Sequence, residues 1–280
     1  MTFAERLSKI PRQIIYLIIA AAIIIPLIVP LGMAINVMPQ TQKLIDSIEE
    51  IPPGSKPILI SCDFDPQSMP ELYPMLEAIL NHCFNKDLKV LVLALWPQGA
   101  GMAEMALGEI PPKYNKKYGE DYVFLGYKAG GAAVVLGLGD NLKNVFPVDY
   151  YKNPVDSLPL TSTIQNYNDI SLVVSFSAGD PGYRTWLLYG QSKFGFKLGT
   201  GVTAVSAADT YPYLNSGQLI GVFAGMKGAA EYETALYKKG YRLTNRNATK
   251  AMDAQSLGHF FIMLFIIIGN IGFLLLRRSK

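Results

Sequence analysis

The chain has 280 residues, half of them hydrophobic, with a net charge of only +3 and two cysteines. The small net charge, and the absence of a basic run interleaved with aromatic residues, argue against nucleic acid as a partner. Two cysteines are too few for a disulfide-rich scaffold. The length allows one sizeable hydrophobic core or two small ones.

Two long apolar runs lie near the ends of the chain. Residues 14–37 and 257–276 contain no charged side chain, and each is long enough to cross a hydrocarbon core of about 30 Å as a helix. A signal peptide is disfavoured for the first run, because it exceeds the usual apolar core and no clear small-residue cleavage site follows. We therefore predict a basic tail at 1–13, a transmembrane helix at 14–38, a stalk or linker at 39–56 that contains a short polar helix or stalk at 41–50, a folded domain at 57–256, a second transmembrane helix at 257–276 and a basic tail at 277–280.

The charges that flank the two runs predict their orientation. Basic residues precede the first run and follow the second, whereas the middle of the chain is mildly acidic. Cytoplasmic flanks of membrane spans carry an excess of Lys and Arg. Both termini are therefore expected in the cytoplasm, and the central domain in the periplasmic or extracellular space. The basic residues concerned are Arg6, Lys9, Arg12, Arg277, Arg278 and Lys280.

The second apolar run contains one amide, Asn270, between Gly269 and Gly272. An Asn in hydrocarbon favours a hydrogen bond to another helix, and small neighbouring residues let that helix approach closely. The partner is either the first span of the same chain or a helix of another subunit. The sequence leaves both alternatives open.

Short apolar runs alternate with helical patterns in the middle of the chain. Apolar runs bounded by Gly and Pro are typical of buried strands. Continuous apolar strands that alternate with helices predict an α/β fold, with a mostly parallel sheet covered by helices on both faces. The predicted strands are 57–62, 89–95, 122–125, 171–176 and 199–207, and the predicted helices include 68–85 and 102–107.

The two cysteines fall in different predicted elements. Cys62 ends the first strand, and Cys83 lies near the far end of the helix that follows. About fifteen helical residues span roughly 22 Å, whereas a disulfide needs Cα atoms within about 7 Å. We predict two separate, buried thiols.

Candidate ligand-binding residues follow three of the predicted strands. Ligands of open parallel sheets bind beyond the carboxyl ends of the strands. The residues predicted to meet there are Asp63, Asp65, Trp96, Gly99, Gly101, Ser177 and Asp180.

The chemistry of this group is weakly specified. Asp63 and Asp65 alternate along an extended chain and point in opposite directions, so the favoured interpretation is that one caps a turn and the other is solvated. A cation site with Asp180 lacks diagnostic spacing, and no metal is predicted. Gly99 and Gly101 resemble a phosphate-cradling turn only in part, because the full dinucleotide pattern is absent. No cofactor is predicted.

A catalytic set is not evident. Only two histidines occur, His82 within a helix and His259 near the second span, and there is no G-x-S-x-G motif. A Ser–Lys pair that uses Ser177 stays open, because such a pair has no fixed spacing. The sequence leaves enzyme activity uncertain and leans against it.

Glycines at 217, 221 and 225 repeat every four residues in an apolar segment. On a helix this spacing places the three glycines along one face, which then carries no side chains. Each Gly in a helix lowers helix stability by about 1 kcal/mol relative to Ala. Close packing against another backbone would offset that cost. The surface it meets is either the sheet of the same domain or a contact with a subunit or the membrane.

These observations predict a membrane-anchored structural or scaffolding subunit of a self-associating membrane assembly. Its expected partners are the lipid bilayer and other copies or membrane subunits, with no nucleic acid. The alternative is a membrane-tethered enzyme or ligand-binding module, with its site at the carboxyl ends of the strands.

Overall fold

The computed structural model describes residues 11–278, which form two compact units. One unit contains residues up to Ala34 together with those from Thr249 onward, and the other contains Ile35–Ala248. Arg6, Lys9 and Lys280 of the predicted basic tails lie outside the described residues.

Seven longer helices and six strands make up most of this part of the chain. The helices are α1 (Arg12–Ile28), α2 (Pro39–Glu49), α3 (Met69–Asn85), α4 (Pro97–Lys113), α5 (Ala132–Asp140), α6 (Gly225–Lys238) and α7 (Asn247–Arg278). The strands are β1 (Ile58–Asp63), β2 (Val90–Ala94), β3 (Tyr122–Tyr127), β4 (Leu172–Ser177), β5 (Leu198–Val202) and β6 (Gly221–Ala224). Short helical pieces occupy Leu142–Val145, Val155–Ser157, Pro159–Ser162, Tyr167–Asp169, Tyr183–Phe194, Ala204–Ser206, Ala208–Thr210 and Tyr211–Asn215.

The six strands form one parallel sheet in the order β3-β2-β1-β4-β5-β6. Ile58 of β1 pairs with Val90 on one side and Leu172 on the other. The strand order reverses at β1 and β4, and a crevice opens beyond the carboxyl ends of the strands at such a point. The predicted α/β fold with a parallel sheet is confirmed.

Both faces of the sheet are covered by apolar side chains. On one face Leu59, Val173 and Leu198 pack in a cluster with Val135 of α5 and Trp186. Residues of the opposite parity face the other way, and there Phe176 lies beside Met75 of α3 at the position of Gly201. Strands buried on both faces explain the unbroken apolar runs in the sequence.

The segment with the three spaced glycines is not one helix. Gly217 lies in a turn with φ +76°, Gly221 begins β6, and Gly225 begins α6 with φ +60°. The predicted glycine stripe on a helix is therefore wrong. The apolar composition of this segment fits a strand that is buried on both faces as well as it fits a buried helix. The close approach itself exists inside the domain: a Cβ at Gly221 would lie 2.7 Å from the backbone oxygen of Gln40 in α2.

The segment predicted as a stalk or linker contains a helix, as one alternative expected, but this helix belongs to the folded domain. Leu44, Ile45 and Ile48 of α2 are fully buried, and Leu44 contacts the positions of Gly199 and Gly221 in the sheet. A carboxylate holds the start of this helix, since Glu231 accepts hydrogen bonds from the Met38 amide (3.1 Å) and the Thr41 hydroxyl (2.6 Å). The domain thus begins near residue 35.

The two apolar runs form helices of different length. Among the described residues, one helix, Asn247–Leu275, is long and apolar enough to cross a membrane. The predicted helix at 14–38 is shorter in the structure, because α1 ends at Ile28 after 17 residues. Pro30 and Gly32, with φ +67°, follow this end and do not favour a continued helix.

Asp253 of α7 satisfies the backbone that follows α1. Its carboxylate accepts hydrogen bonds from the amides of Leu31 (2.9 Å), Gly32 (3.0 Å) and Met33 (3.1 Å). These N–H groups lie beyond the helix and would otherwise need water. Asn270 of the same helix is exposed, and its partner stays a prediction.

Candidate functional site

The carboxyl edge of the sheet carries a cleft of about 570 Å³. Trp96 reaches it from the loop after β2 and Asp180 from the loop after β4, so the structure brings together two residues that were predicted from separate strands. Three further polar or aromatic residues of the lining and two glycines were not predicted from the sequence. They are Tyr127 at the end of β3, Gly130 and Gly131 after β3, and Thr185 and Tyr189 after β4.

One hydrogen bond joins the two loops, and a second lies within the segment after β4. The indole Nε1 of Trp96 donates to the carbonyl oxygen of Pro181 (2.6 Å), and the Trp96 ring lies over Gly179, where a Cβ would be 3.2 Å from it. The Thr185 hydroxyl donates to Asp180 Oδ1 (2.9 Å). The cleft wall is therefore held by contacts within the protein, as in a preformed ligand site.

A second, smaller cavity of about 140 Å³ adjoins the cleft and shares Asp180. Ser177 lines it, but the Ser177 hydroxyl already accepts a hydrogen bond from the backbone amide of Tyr183 (3.2 Å). Arg184 and Asp209 also line it and form an ion pair of 2.7 Å. No lysine is among the described residues around this cavity, so they provide no base for a Ser–Lys pair with Ser177.

Asp63 does not line the cleft and is fully buried at the end of β1. It accepts hydrogen bonds from the Leu95 amide (2.7 Å), the Ser61 hydroxyl (2.7 Å) and the Ser175 hydroxyl (3.3 Å). Burial raises the pKa of Asp63 to about 7, although these bonds oppose the rise. The Trp186 indole also approaches and lowers this pKa, but its N–H makes no hydrogen bond of good geometry. Hydrogen bonds to the buried Asp63 carboxylate thus link the end of β1 to the residue after β2 and to β4.

Asp65 has a different role from Asp63. Its Oδ1 accepts hydrogen bonds from the Ser68 hydroxyl (2.7 Å) and the Ser68 amide (3.1 Å), and these bonds lower the pKa of Asp65. One of the two carboxylates caps a turn, as predicted, but the other is buried and not solvated. Within residues 11–278 the structure shows no group of three or more His, Cys, Asp or Glu residues that could hold a metal ion.

The two glycines after β2 are not equivalent. A Cβ on Gly99 would lie 1.8 Å from the carbonyl oxygen of Cys62, whereas a Cβ on Gly101 would meet nothing within 4 Å. Gly99 therefore lets α4 pack closely on the end of β1. Neither glycine belongs to the lining of the cleft.

The buried histidine belongs to another cluster. The Nδ1 atom of His82 lies 2.5 Å from the Tyr232 hydroxyl, and burial lowers the pKa of His82 to about 4, although the nearby Glu49 carboxylate opposes this. Burial alone would raise the pKa of Glu49, but hydrogen bonds from Lys239 and Tyr241 bring it to about 2. The cluster joins α2, α3 and the end of α6. Cys83 is likewise buried, and both cysteines are free thiols, as predicted.

Some of the missed residues have a signal in the sequence. Gly130 and Gly131 follow a predicted strand and have φ +126° and +45°, and a glycine pair after a strand marks a loop at the sheet edge. Tyr189 lies on a helical turn that no local pattern distinguishes. Comparisons with family models, curated proteins and solved structures find no match for this chain.

Proposed function

We propose that this chain is a membrane-anchored module that binds a small molecule at the carboxyl edge of its parallel sheet. The observation that carries the proposal is the cleft of about 570 Å³ beyond β2, β3 and β4. Ligand sites of α/β domains favour this edge. The cleft also has the usual makeup of such sites, with aromatic and apolar walls and a few polar groups.

Binding is better supported than catalysis. The Ser177 hydroxyl accepts a hydrogen bond from a backbone amide, His82 is buried in another cluster, and Asp63 is fully buried and does not line the cleft. Nucleophilic catalysis needs a nucleophile within hydrogen-bonding reach of a base. Among the described residues that line the two cavities there is neither His nor Lys, and the Thr185 hydroxyl donates to the Asp180 carboxylate rather than to an imidazole or amine base.

The anchor has two spans in this proposal. The helix α7 provides one, and α1 together with the segment after it provides the other. Asp253 supports the pairing because it satisfies three amides of that segment, where unsatisfied backbone would be costly near lipid. The basic flanks favour cytoplasmic termini and an external domain.

Thiol labelling tests this topology directly. Both native cysteines are buried, so Lys117→Cys, at a side chain 72% exposed, can be studied in the native background. A membrane-impermeant maleimide should label it in intact cells. Labelling only after the membrane is opened would reverse the assignment.

A scaffolding role is the second candidate. Its support is Asn270, which is exposed on α7 next to Gly269, where a Cβ would meet nothing within 4 Å. A helix of another copy is a suitable partner for this amide. Mass measurements in nanodiscs should show an oligomer for the wild type and a smaller species for Asn270→Leu. A wild-type monomer at all concentrations would end this candidate.

A fragment screen tests the binding site. The full chain in a neutral detergent should be stabilised by fragments that also change its tryptophan emission. Tyr189→Ala, which removes a wall of the cleft, should weaken these hits. Tyr237→Ala is the matched control, because Tyr237 is exposed and does not line the cleft. Equal effects of both variants would contradict the proposal.

A further inference from the structure

The charge of the cleft indicates what kind of ligand it takes. Asp180 is the one charged side chain among the described residues that line it, and neither Lys nor Arg is among them. The adjoining cavity does not offset this charge, because Arg184 is paired with Asp209 at 2.7 Å. The two cavities together therefore leave one carboxylate without a cation.

Three aromatic side chains share the cleft with this carboxylate. Trp96 follows β2, Tyr127 is the last residue of β3, and Tyr189 lies in the helical segment after β4. The faces of aromatic rings attract cations, and recognition of ammonium groups by several rings is the best-known functional use of this attraction. A carboxylate beside aromatic rings fits an ammonium group better than a neutral or an anionic ligand.

Helix dipoles oppose this preference only in part. The helices α4 and α5 both begin at the cleft, and the start of a helix carries partial positive charge. However, α4 begins with Pro97, which has no N–H group. In α5 the amides of Ala133 and Val135 donate to the carbonyls of Gly130 and Gly131. These helix starts therefore offer few free N–H groups to an anion, and Asp180 carries the one full charge among the described lining residues.

We infer that the cleft binds an organic cation, a small quaternary amine, with its ammonium group between Asp180 and the rings of Trp96, Tyr127 and Tyr189. This inference rests on the proposed function, since it specifies the ligand class of the same cleft. Asp180 is exposed, so its pairing with a ligand is partly screened by water. Removing its charge should weaken binding by about three- to tenfold.

A pair of isosteric probes tests the inference. Choline and its neutral analogue 3,3-dimethyl-1-butanol have nearly the same shape, and only choline is charged. The full chain in dodecyl maltoside is titrated with each, with tryptophan emission as the signal, because phosphocholine detergents would compete. Choline should bind at least about tenfold more tightly than the alcohol.

Two variants with the same change in net charge complete the experiment. Asp180→Asn should weaken choline binding by about three- to tenfold, whereas Glu104→Gln should not, because Glu104 is an exposed acid outside the cleft lining. Trp96→Phe keeps a ring in the cleft and should remove most of the emission change, leaving the buried Trp186 as reporter of folding.

The outcomes distinguish a wrong ligand class from the absence of a binding site in the cleft. Equal affinity for choline and the alcohol, or equal effects of Asp180→Asn and Glu104→Gln, would overturn the cationic ligand. The cleft would still stand as a binding site if Tyr189→Ala abolished that binding. If choline does not bind while neutral or anionic fragments do, the inference fails and the proposed function survives. If no compound binds at the cleft, both fail.

Discussion

Asp63→Asn should change how the stability of the domain depends on pH. Asp63 is fully buried, and burial raises its pKa from 3.8 to about 7 despite hydrogen bonds from Ser61 and the Leu95 amide. Asn has nearly the same shape and cannot ionise. Its carbonyl oxygen can still accept from Leu95, and its amide can donate to the hydroxyls of Ser61 and Ser175.

The sign of the effect follows from the two pKa values. Between about pH 4 and pH 7 the folded state keeps the proton of Asp63 more tightly than the unfolded state does. Stability therefore falls as pH rises through this window and levels off above it. A rise of about three pKa units corresponds to about 4 kcal/mol. That is a large fraction of the roughly 5–15 kcal/mol that stabilises a typical domain.

Urea unfolding of the full chain in dodecyl maltoside, followed by tryptophan emission at pH 4.5 and pH 7.5, measures this effect. The free energy of unfolding of Asp63→Asn relative to wild type should rise by a few kcal/mol between these values. Asp65→Asn is the control, because the pKa of Asp65 is lowered, so this carboxyl is largely ionised in both the folded and the unfolded state at these two pH values and its replacement should not change the pH dependence between them. Parallel pH profiles for wild type and Asp63→Asn would refute the reasoning.

Four further substitutions test the packing within each of the two units. Gly99→Ala should lower the free energy of unfolding by at least about 3 kcal/mol, because its Cβ would meet a backbone oxygen at 1.8 Å. Gly101→Ala in the same helix should instead stabilise the domain by about 0.5–1 kcal/mol. The midpoints of urea unfolding compare the two variants, and equal midpoints would contradict the prediction. Gly221→Ala should lower the free energy of unfolding by about 1–3 kcal/mol, because the new Cβ would contact Leu44. The mass of the protein in nanodiscs should not change. A lower mass for a stably folded variant would instead place this glycine at a subunit contact. Asp253→Asn should speed hydrogen exchange of the amides just after α1, since an amide side chain has one acceptor oxygen instead of two; unchanged exchange would show that the carboxylate does not hold this segment.

The sheet could be predicted from the sequence because its strands carry a strong local signal. Residues 89–95 and 171–176 are short apolar runs between breakers, and the structure places β2 and β4 there. Their parallel arrangement follows from the helices that separate them. The order of the strands had no local signal, because it depends on contacts between distant parts of the chain.

Two predictions failed for a common reason, which is that apolar content does not specify the element. Gly217, Gly221 and Gly225 fit a helical spacing, but the residues between them also fit a buried strand, and pairing with β5 decides the outcome. The run at 14–38 is apolar throughout, yet its helix ends at Ile28. Composition sets how apolar a segment is, whereas prolines and tertiary contacts set where a helix stops.

The candidate site was predictable only as an edge of the sheet. Trp96 and Asp180 follow strands that the sequence identifies, so their convergence follows from the parallel arrangement. The burial of Asp63 depends on the end of β1 lying between β2 and β4. That position fixes whether a carboxylate after a strand faces water or the interior, and it is a property of strand order.

The packing of α2 on the last strand of the sheet has a consequence for synthesis. Leu44, Ile45 and Ile48 leave the ribosome early, but the strand that covers Leu44 begins at Gly221, about 180 residues later. At roughly 5–20 residues per second, this apolar face waits for about 10–40 s before its partner is made. The nascent chain therefore exposes this apolar face throughout that time, and the domain cannot close until almost all of it has been translated.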